Sequence, residues 1–213
     1  MAISFLQNGP DNANTTILLA HGAGAPMDSG AMNGLADALC LQNFKIARFE
    51  FDYMAERRHS TKRAPPPKAE KLIPEYRAAI EQLAASGPLI IGGKSMGGRV
   101  ASMIGDEFYA QRKIIGLLCL GYPFHPTKQP LKLRTAHLEN LKIPTLICQG
   151  SRDPFGSLEE VAHYTLSNAI ELFWLNDGDH AFTPRKSLTG LSLNDHLSSI
   201  AAKTREWADS LSA

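Results

Sequence analysis

Residues 92–98 read GGKSMGG, and a lysine and a serine behind glycines permit two kinds of chemistry. In a phosphate-gripping loop of the form G-x-x-x-x-G-K-[ST], Ser95 would hold a metal-bound phosphate. In the form G-x-S-x-G, read as Gly93-Lys94-Ser95-Met96-Gly97, Ser95 would be a nucleophile raised on a tight turn. The spacing decides between them. Counting back from Lys94, the first loop glycine should fall at position 88, which is Pro88, and Gly87 comes one residue too early. The loop would also have to be built from Leu89, Ile90 and Ile91, which the preceding strand needs. The nucleophile turn asks for no adjustment: an apolar strand leads in, a helical stretch leads out, and Gly93, Gly97 and Gly98 let the two pack closely.

A serine hydroxyl becomes a useful nucleophile when a histidine takes its proton and an acid orients that histidine. On a sheet carrying this turn the partners follow in the order serine, acid, histidine, each just after a strand. PTLICQG runs into Ser151-Arg152-Asp153-Pro154-Phe155, and AIELFWLN runs into Asp177-Gly178-Asp179-His180. Order, residue type and strand context select Asp153 as the acid and His180 as the base. Asp177 and Asp179 lie nearer His180 in sequence, but neighbours in one loop seldom face each other, so they are assigned to shaping the turn. The stretch Gly121-Tyr122-Pro123-Phe124, after an earlier strand, offers no carboxylate. His163 and His196 fall in or near helical stretches and receive packing or surface roles.

The chemistry also needs two N–H donors for a developing oxyanion. The amide of Met96, next to the nucleophile, is the first. The second should come from ILLAHGAGAP, where Ala23 is the choice and Gly24 stands close behind. His21 is expected to shape this loop by hydrogen bonding. Together with Tyr53, Tyr122, Phe124 and His125 it is also a candidate pocket residue, because loops at the C-terminal edge of such a sheet surround ligands. Lys94 and Arg99, flanking the turn, are expected to form local salt bridges. Arg57, Arg58, Lys62 and Arg63 form a basic cluster, read as a solvated loop, with guidance of an anionic substrate as the alternative.

Positioning these groups requires strands that end together. TTILLAHG, FKIARFEF, PLIIGG, KIIGLLCLG, IPTLICQG and AIELFWLN read as strands, several nearly continuous in apolar residues, as buried parallel strands are. MNGLADALCLQ, KAEKLIPEYRAAIEQLAAS, SMGGRVASMIGDEFYA, LEEVAHYTL and LNDHLSSIAAKTREWADSL carry helical spacing between and after them. The alternation predicts an α/β domain: a mostly parallel central sheet of about six or seven strands with helices on both faces. Residues 54–68, basic and proline-rich, are expected to be a loop. Residues 121–140 hold three prolines and are too short for an independent lid domain.

The whole chain, 1–213, is read as a single domain, large enough to bury a core without disulfides or metals. A formal net charge of +1 gives no general argument for nucleic acid or acidic membranes as partners. Cys40, Cys119 and Cys148 lack metal-site or redox spacing, which fits a reducing compartment, and the N-terminus shows no signal peptide, so a cytoplasmic location is expected. The oligomeric state is left open.

HGAGAP, RFEFDYMAERR, GGKSMGGRVAS, CLGYPFHP and QGSRDPFG followed by DGDHAF together resemble one subfamily of α/β-hydrolases. These are the small hydrolases related to a testis-expressed hydrolase-like protein and to a subunit of a nuclear histone-acetyltransferase complex. The resemblance covers about residues 16 to 182, implies the α/β-hydrolase fold, and carries Ser95, Asp153 and His180 over as triad positions. The expected function is a serine hydrolase acting on an ester, thioester or related acyl bond of a small-molecule substrate, with no metal or organic cofactor. The alternative is a non-catalytic module of the same fold that serves as a protein-interaction surface, which would have no physical use for all three groups.

Overall fold

The computed structural model describes residues 3–59 and 65–211. Its framework is one seven-stranded sheet: β1 (Phe5–Asn8), β2 (Thr15–Ala20), β3 (Phe44–Phe49), β4 (Leu89–Lys94), β5 (Gly116–Leu120), β6 (Thr145–Gly150) and β7 (Ile170–Leu175). The strands lie in the order β1-β3-β2-β4-β5-β6-β7. All neighbours are parallel except β1, which runs antiparallel to β3 on the edge, with Phe5 opposite Phe49. Six of these strands match the apolar runs of the sequence. β1, only four residues long and half apolar, gives too little signal to be read, and the pairing with β3 holds it.

The apolar strands are buried because both faces are covered. On one face Leu18, Ile91, Leu117 and Ile147 pack under α3 (Ile73–Leu83), α4 (Met96–Ser102) and α5 (Gly105–Ala110), which contribute Tyr76, Val100 and Phe108. On the other, Ile17, Leu19, Ile90, Leu118 and Leu146 pack under α1 (Gly30–Leu41) and α8 (Leu193–Ser210), through Leu35, Leu39, Ile200 and Trp207. Adjacent residues of one strand thus serve opposite cores, as a period of two requires. Cys119 and Cys148 are buried free thiols that follow the same rule. No helix among the described residues is long and apolar enough to cross a membrane.

Three local expectations are corrected. The loop expected over 54–68 begins within a helix, α2 (Asp52–Arg57), before the prolines; Lys62 and Arg63 lie outside the described residues. The stretch SMGGRVASMIGDEFYA is two helices, broken between Ser102 and Gly105, which lets Gly105 pack against Ile143, whose Cγ2 would lie 3.2 Å from any added Cβ. LEEVAHYTL gives one turn only, α6 (Leu158–Val161), fixed by a capping box between Ser157 and Glu160. The stretch 121–144 between β5 and β6 forms turns without a helix or strand. Before α8 a further short helix, α7 (Lys186–Thr189), ends at Gly190 in a left-handed conformation.

The order of the sheet reverses between β2 and β4, so the loops after these strands open side by side at their C-terminal ends. That junction is tied by Tyr76 of α3. Its buried hydroxyl accepts the N–H of Gly92 at 2.9 Å and lies 2.6 Å from the Gly92 carbonyl, with Leu18 O at 3.2 Å. Replacing Tyr76 takes away the buried hydroxyl that the Gly92 amide and carbonyl share. Tyr76→Phe is expected to lower the unfolding free energy by about 1–3 kcal/mol, read by urea denaturation.

Candidate active site

The strand-to-helix turn after β4 holds Ser95 at φ 51° and ψ −112°, a conformation that costs a non-glycine residue about 1–3 kcal/mol. Its N–H donates to Leu120 O at 2.9 Å, anchoring the turn to β5. The surrounding backbone leaves no room for side chains. A Cβ on Gly93 or on Gly97 would lie 2.4 Å from Ala20 O, and one on Gly98 would lie 2.7 Å from Gly93 O. Met96 follows as the first residue of α4, where its amide has no preceding helical turn to supply an acceptor.

His180 meets Ser95 from the loop after β7. Its Nε2 is 3.0 Å from Ser95 Oγ, and its Nδ1 is 2.7 Å from Asp153 Oδ2. The three residues chosen from the sequence therefore form one hydrogen-bonded chain, although 85 positions separate the serine from the histidine. Asp153 is fully buried, and every bond it accepts helps fix it: Oδ2 also receives Gln149 Nε2 at 3.1 Å, and Oδ1 receives the Phe155 amide at 2.9 Å. With Asp153 ionised, Nδ1 carries the proton and Nε2 presents its lone pair to the serine hydroxyl, the arrangement a general base needs.

Asp177 and Asp179 do not face the imidazole. Asp177, in a left-handed conformation, pairs with Arg185 and with Arg152, and these cations hold its carboxyl far below the usual range. Asp179 accepts the amides of Ala181 and Thr183 at 2.8 and 2.9 Å. His196, buried on α8, holds the other end of the loop through Phe182 O at 2.7 Å. His163 lies just beyond α6, exposed.

The loop after β2 runs against the serine: a Cβ on Gly22 would be 3.7 Å from Ser95 Cβ. His21 shapes this loop and is completely buried beneath it, so it is no pocket wall. Its Nδ1–H donates to Gly22 O at 2.6 Å and its Nε2 accepts the Phe51 amide at 3.2 Å. Both bonds require the neutral ring, and burial lowers its pKa in the same sense. Tyr53 also stands behind the loop, its hydroxyl donating to Ala23 O at 3.1 Å, and burial pushes its pKa up to about 12. Arg57 approaches the same carbonyl at 3.4 Å, while Arg58 pairs with Asp28 and Glu50, so these two members of the basic cluster are engaged locally.

Tyr122, Phe124 and His125, expected as pocket walls, are corrected in the same way. All three are buried in the core below the site, within a run from Gly121 to His125 that is buried throughout. Tyr122 Oη donates to Arg134 O at 3.1 Å, the Phe124 ring packs on Tyr122 and Tyr164, and His125 Nδ1 bonds Pro126 O. Pro123, between them, is the residue that reaches the site.

Two clefts meet at Ser95. One, of about 580 Å³, is lined by Met96, Arg99, Pro123, Lys132 and Arg134. The other, of about 540 Å³, is lined by Gly24, Ala25, Met32, Lys94, Phe155 and His180. Ala23, Ser95 and Phe155 border both, and the Phe155 ring lies 4.4 Å from that of His180, centroid to centroid. Sequence reasoning passed over Phe155 and Gln149. The one visible signal for Gln149 was a polar residue inside an otherwise apolar strand, where a buried amide must have partners. It has them: Gln149 bonds the Tyr122 amide and carbonyl, Asp153 and Gly156 O. Arg99 forms an ion pair with Glu70 at 2.8 Å. Lys94 forms none among the described residues. Its ammonium instead donates to His180 O at 2.7 Å and lies 5.0 Å from the Phe182 ring centroid, and burial lowers its pKa to about 8.

Comparison with known proteins agrees with this architecture. A family profile described as alpha/beta hydrolase domain matches residues 13–209. A dienelactone hydrolase from Anabaena variabilis superposes with a TM-score of 0.72 at 20% identity, over 96% of this chain and 90% of the other. A serine hydrolase without a lid from Xanthomonas campestris gives 0.70 at 18% identity, over 96% and 89%. An alpha-beta serine hydrolase homologue from Coxiella burnetii gives 0.66 at 16% identity, over 92% and 90%. At such identities the superpositions speak for the fold, and the profile, matching nearly the whole length, speaks for descent: the chain belongs to the alpha/beta hydrolase domain family.

Proposed function

We propose that this protein is a serine hydrolase that cleaves an ester, thioester or related acyl bond through an acyl-enzyme on Ser95. The observation that carries the reading is the unbroken chain from Ser95 Oγ through both imidazole nitrogens to a buried carboxylate. A strained serine supports it, since a protein-interaction surface has no use for that conformation. The motifs HGAGAP, GGKSMGG and DGDHAF support placing it among the small hydrolases related to the testis-expressed and histone-acetyltransferase-complex proteins.

In the first half-reaction Ser95 Oγ bonds to the carbonyl carbon and its proton passes to His180 Nε2. The bond to the leaving oxygen or sulfur then breaks, and that atom takes the proton from Nε2. In the second half a water loses its proton to Nε2 and attacks the acyl carbon, and Ser95 leaves with the proton. The amides of Met96 and Ala23 serve the oxyanion. Here His21 has a use: the Gly22 carbonyl it holds belongs to the same peptide unit as the Ala23 N–H, so the bond fixes that donor's direction and polarises it.

A fluorophosphonate probe is expected to label the wild-type protein and to leave Ser95→Ala unlabelled. A folded wild type that resists the probe would point to the interaction module instead. Asp153→Asn keeps the geometry but favours the wrong tautomer, and should lower kcat by about 10⁴-fold on any ester the wild type hydrolyses.

Lys94→Met tests the clamp on the histidine loop. Releasing His180 O should lower kcat/KM by about 10²-fold, the usual effect of a misplacement near 1 Å. Stability carries a separate signature. Lys94 titrates near 8 in the folded protein and near its ordinary 10.5 when unfolded, so the folded state is penalised for holding the ammonium. The penalty is complete below pH 8 and fades as pH rises towards 10.5. Wild type should therefore gain stability relative to Lys94→Met across that window, by up to about 3 kcal/mol in paired denaturation series.

A further inference from the structure

The two clefts at Ser95 differ in charge. Among the described residues, the one beside Met96 carries four cations, Lys68, Arg99, Lys132 and Arg134, against the single carboxylate of Glu70. Glu70 is committed to Arg99 at 2.8 Å, yet the buried Nε of Arg99 still has no hydrogen-bond partner among the described residues. Arg134 has less. Its backbone is fixed on both sides, the amide to Phe124 O at 2.8 Å and the carbonyl to Tyr122 Oη at 3.1 Å. Its guanidinium forms no ion pair or side-chain hydrogen bond among the described residues. Burial, and after it the positive charge of Arg99, lower its pKa. Nearby His137 does not compensate: burial lowers its pKa too, and its Nε2 is engaged by Ser102 Oγ at 2.8 Å. Two guanidiniums line one cleft, and that of Arg134 has no direct ion pair among the described residues, only the more distant charge of Glu70; such planar N–H forks suit a carboxylate.

The chemistry says which part of a substrate lies there. His180 must hand its proton to the leaving group, so the leaving group departs on the side that His180 lines. That is the other cleft, whose walls include Ala25, Ala31, Met32 and Phe155. The acyl chain must then extend to the Met96 side. Resting on the hydrolase reading above, we propose that the substrate is an ester or thioester whose acyl chain ends in a carboxylate, received by Arg134 and Arg99. A half-ester of a short dicarboxylic acid with an apolar alcohol or thiol has this form.

The test compares benzyl half-esters of succinic, glutaric and adipic acids with the matching compounds whose free carboxyl is a primary amide. The members of each pair differ in charge and scarcely in shape. Release of benzyl alcohol by the full-length protein should show kcat/KM at least tenfold higher for the acid than for the amide at one or more chain lengths. That ratio should shrink as salt is raised. In Arg134→Met it should collapse towards one, and in Arg134→Lys, which keeps the charge without the fork, it should be partly restored. An acid-to-amide ratio of one or less at every length, or a ratio indifferent to Arg134→Met, overturns the proposal while leaving the hydrolase reading intact. Calorimetric binding of the same pairs to Ser95→Ala separates the two ideas from the other direction. If wild type cleaves none of the esters, tighter binding of an acid than of its amide still upholds the anion subsite, and equal binding removes it.

Discussion

Everything at the site depends on holding one non-glycine residue in a backbone conformation it resists. Ser95 sits at φ 51° because β4 arrives at the level of the β2 and β5 carbonyls and the chain must reverse at once into α4. The cost, about 1–3 kcal/mol, falls on the rest of the fold. It is met by close packing. Gly92 lies so near β5 that a Cβ there would stand 1.9 Å from Leu118 O, and Gly93 and Gly97 press against Ala20 O in the same way. The Ser95 amide is spent on Leu120 O. Strand, turn and helix are thereby locked to both neighbouring strands, and the hydroxyl has no other place to point than the sheet's C-terminal edge.

The histidine arrives by different means. Its loop is not strained into place by glycines alone but tied by long polar side chains from elsewhere in the chain. Arg152 donates to Asp177 O at 2.7 Å and Thr183 O at 3.0 Å, His196 holds Phe182 O, and Lys94 holds the carbonyl of His180 itself. Where the loop passes β6, Gly150 admits it: a Cβ there would be 2.3 Å from Gly178 O. Burying a lysine ammonium against a carbonyl costs desolvation that one hydrogen bond does not fully return, as its lowered pKa records. Such an arrangement is kept for what it positions, which here is the His180 imidazole beside Ser95.

The sequence made the order of events along each strand legible, and little of what crosses between them. Apolar runs ending in GGKS, GSRD and DGDH announced three strands and three loop residues, and the structure brings those residues together. Residue type was the weaker guide to the pocket. Tyr122, Phe124 and His125 look like ligand-contacting residues in a loop, but the whole run from Gly121 to His125 is buried, and sequence alone does not show that this loop packs into the core. Helix breaks were equally hidden: nothing in SMGGRVASMIGDEFYA shows that Gly105 must pack on Ile143, some forty residues on. The expectation of a salt bridge for Lys94 rests on how commonly charges near turns pair, whereas its ammonium is matched to a carbonyl 86 positions away.

The contrast between the two clefts follows from the same construction. On the His180 side the carbonyls and carboxylates of the loop after β7 are already used to hold that loop, and the lining left over is mostly apolar. On the Met96 side the polar anchors sit one layer deeper. Tyr122 and Gln149 satisfy the backbone beneath, and above them Arg99 pairs with Glu70 while the Arg134 side chain has no ion pair among the described residues. The positive charges of Arg99 and Arg134 repel each other, an effect seen in the lowered pKa of Arg134. A negatively charged acyl chain would relieve it while its carbonyl lies over Ser95, so the binding energy of the distal carboxylate would be available to align the reacting atoms.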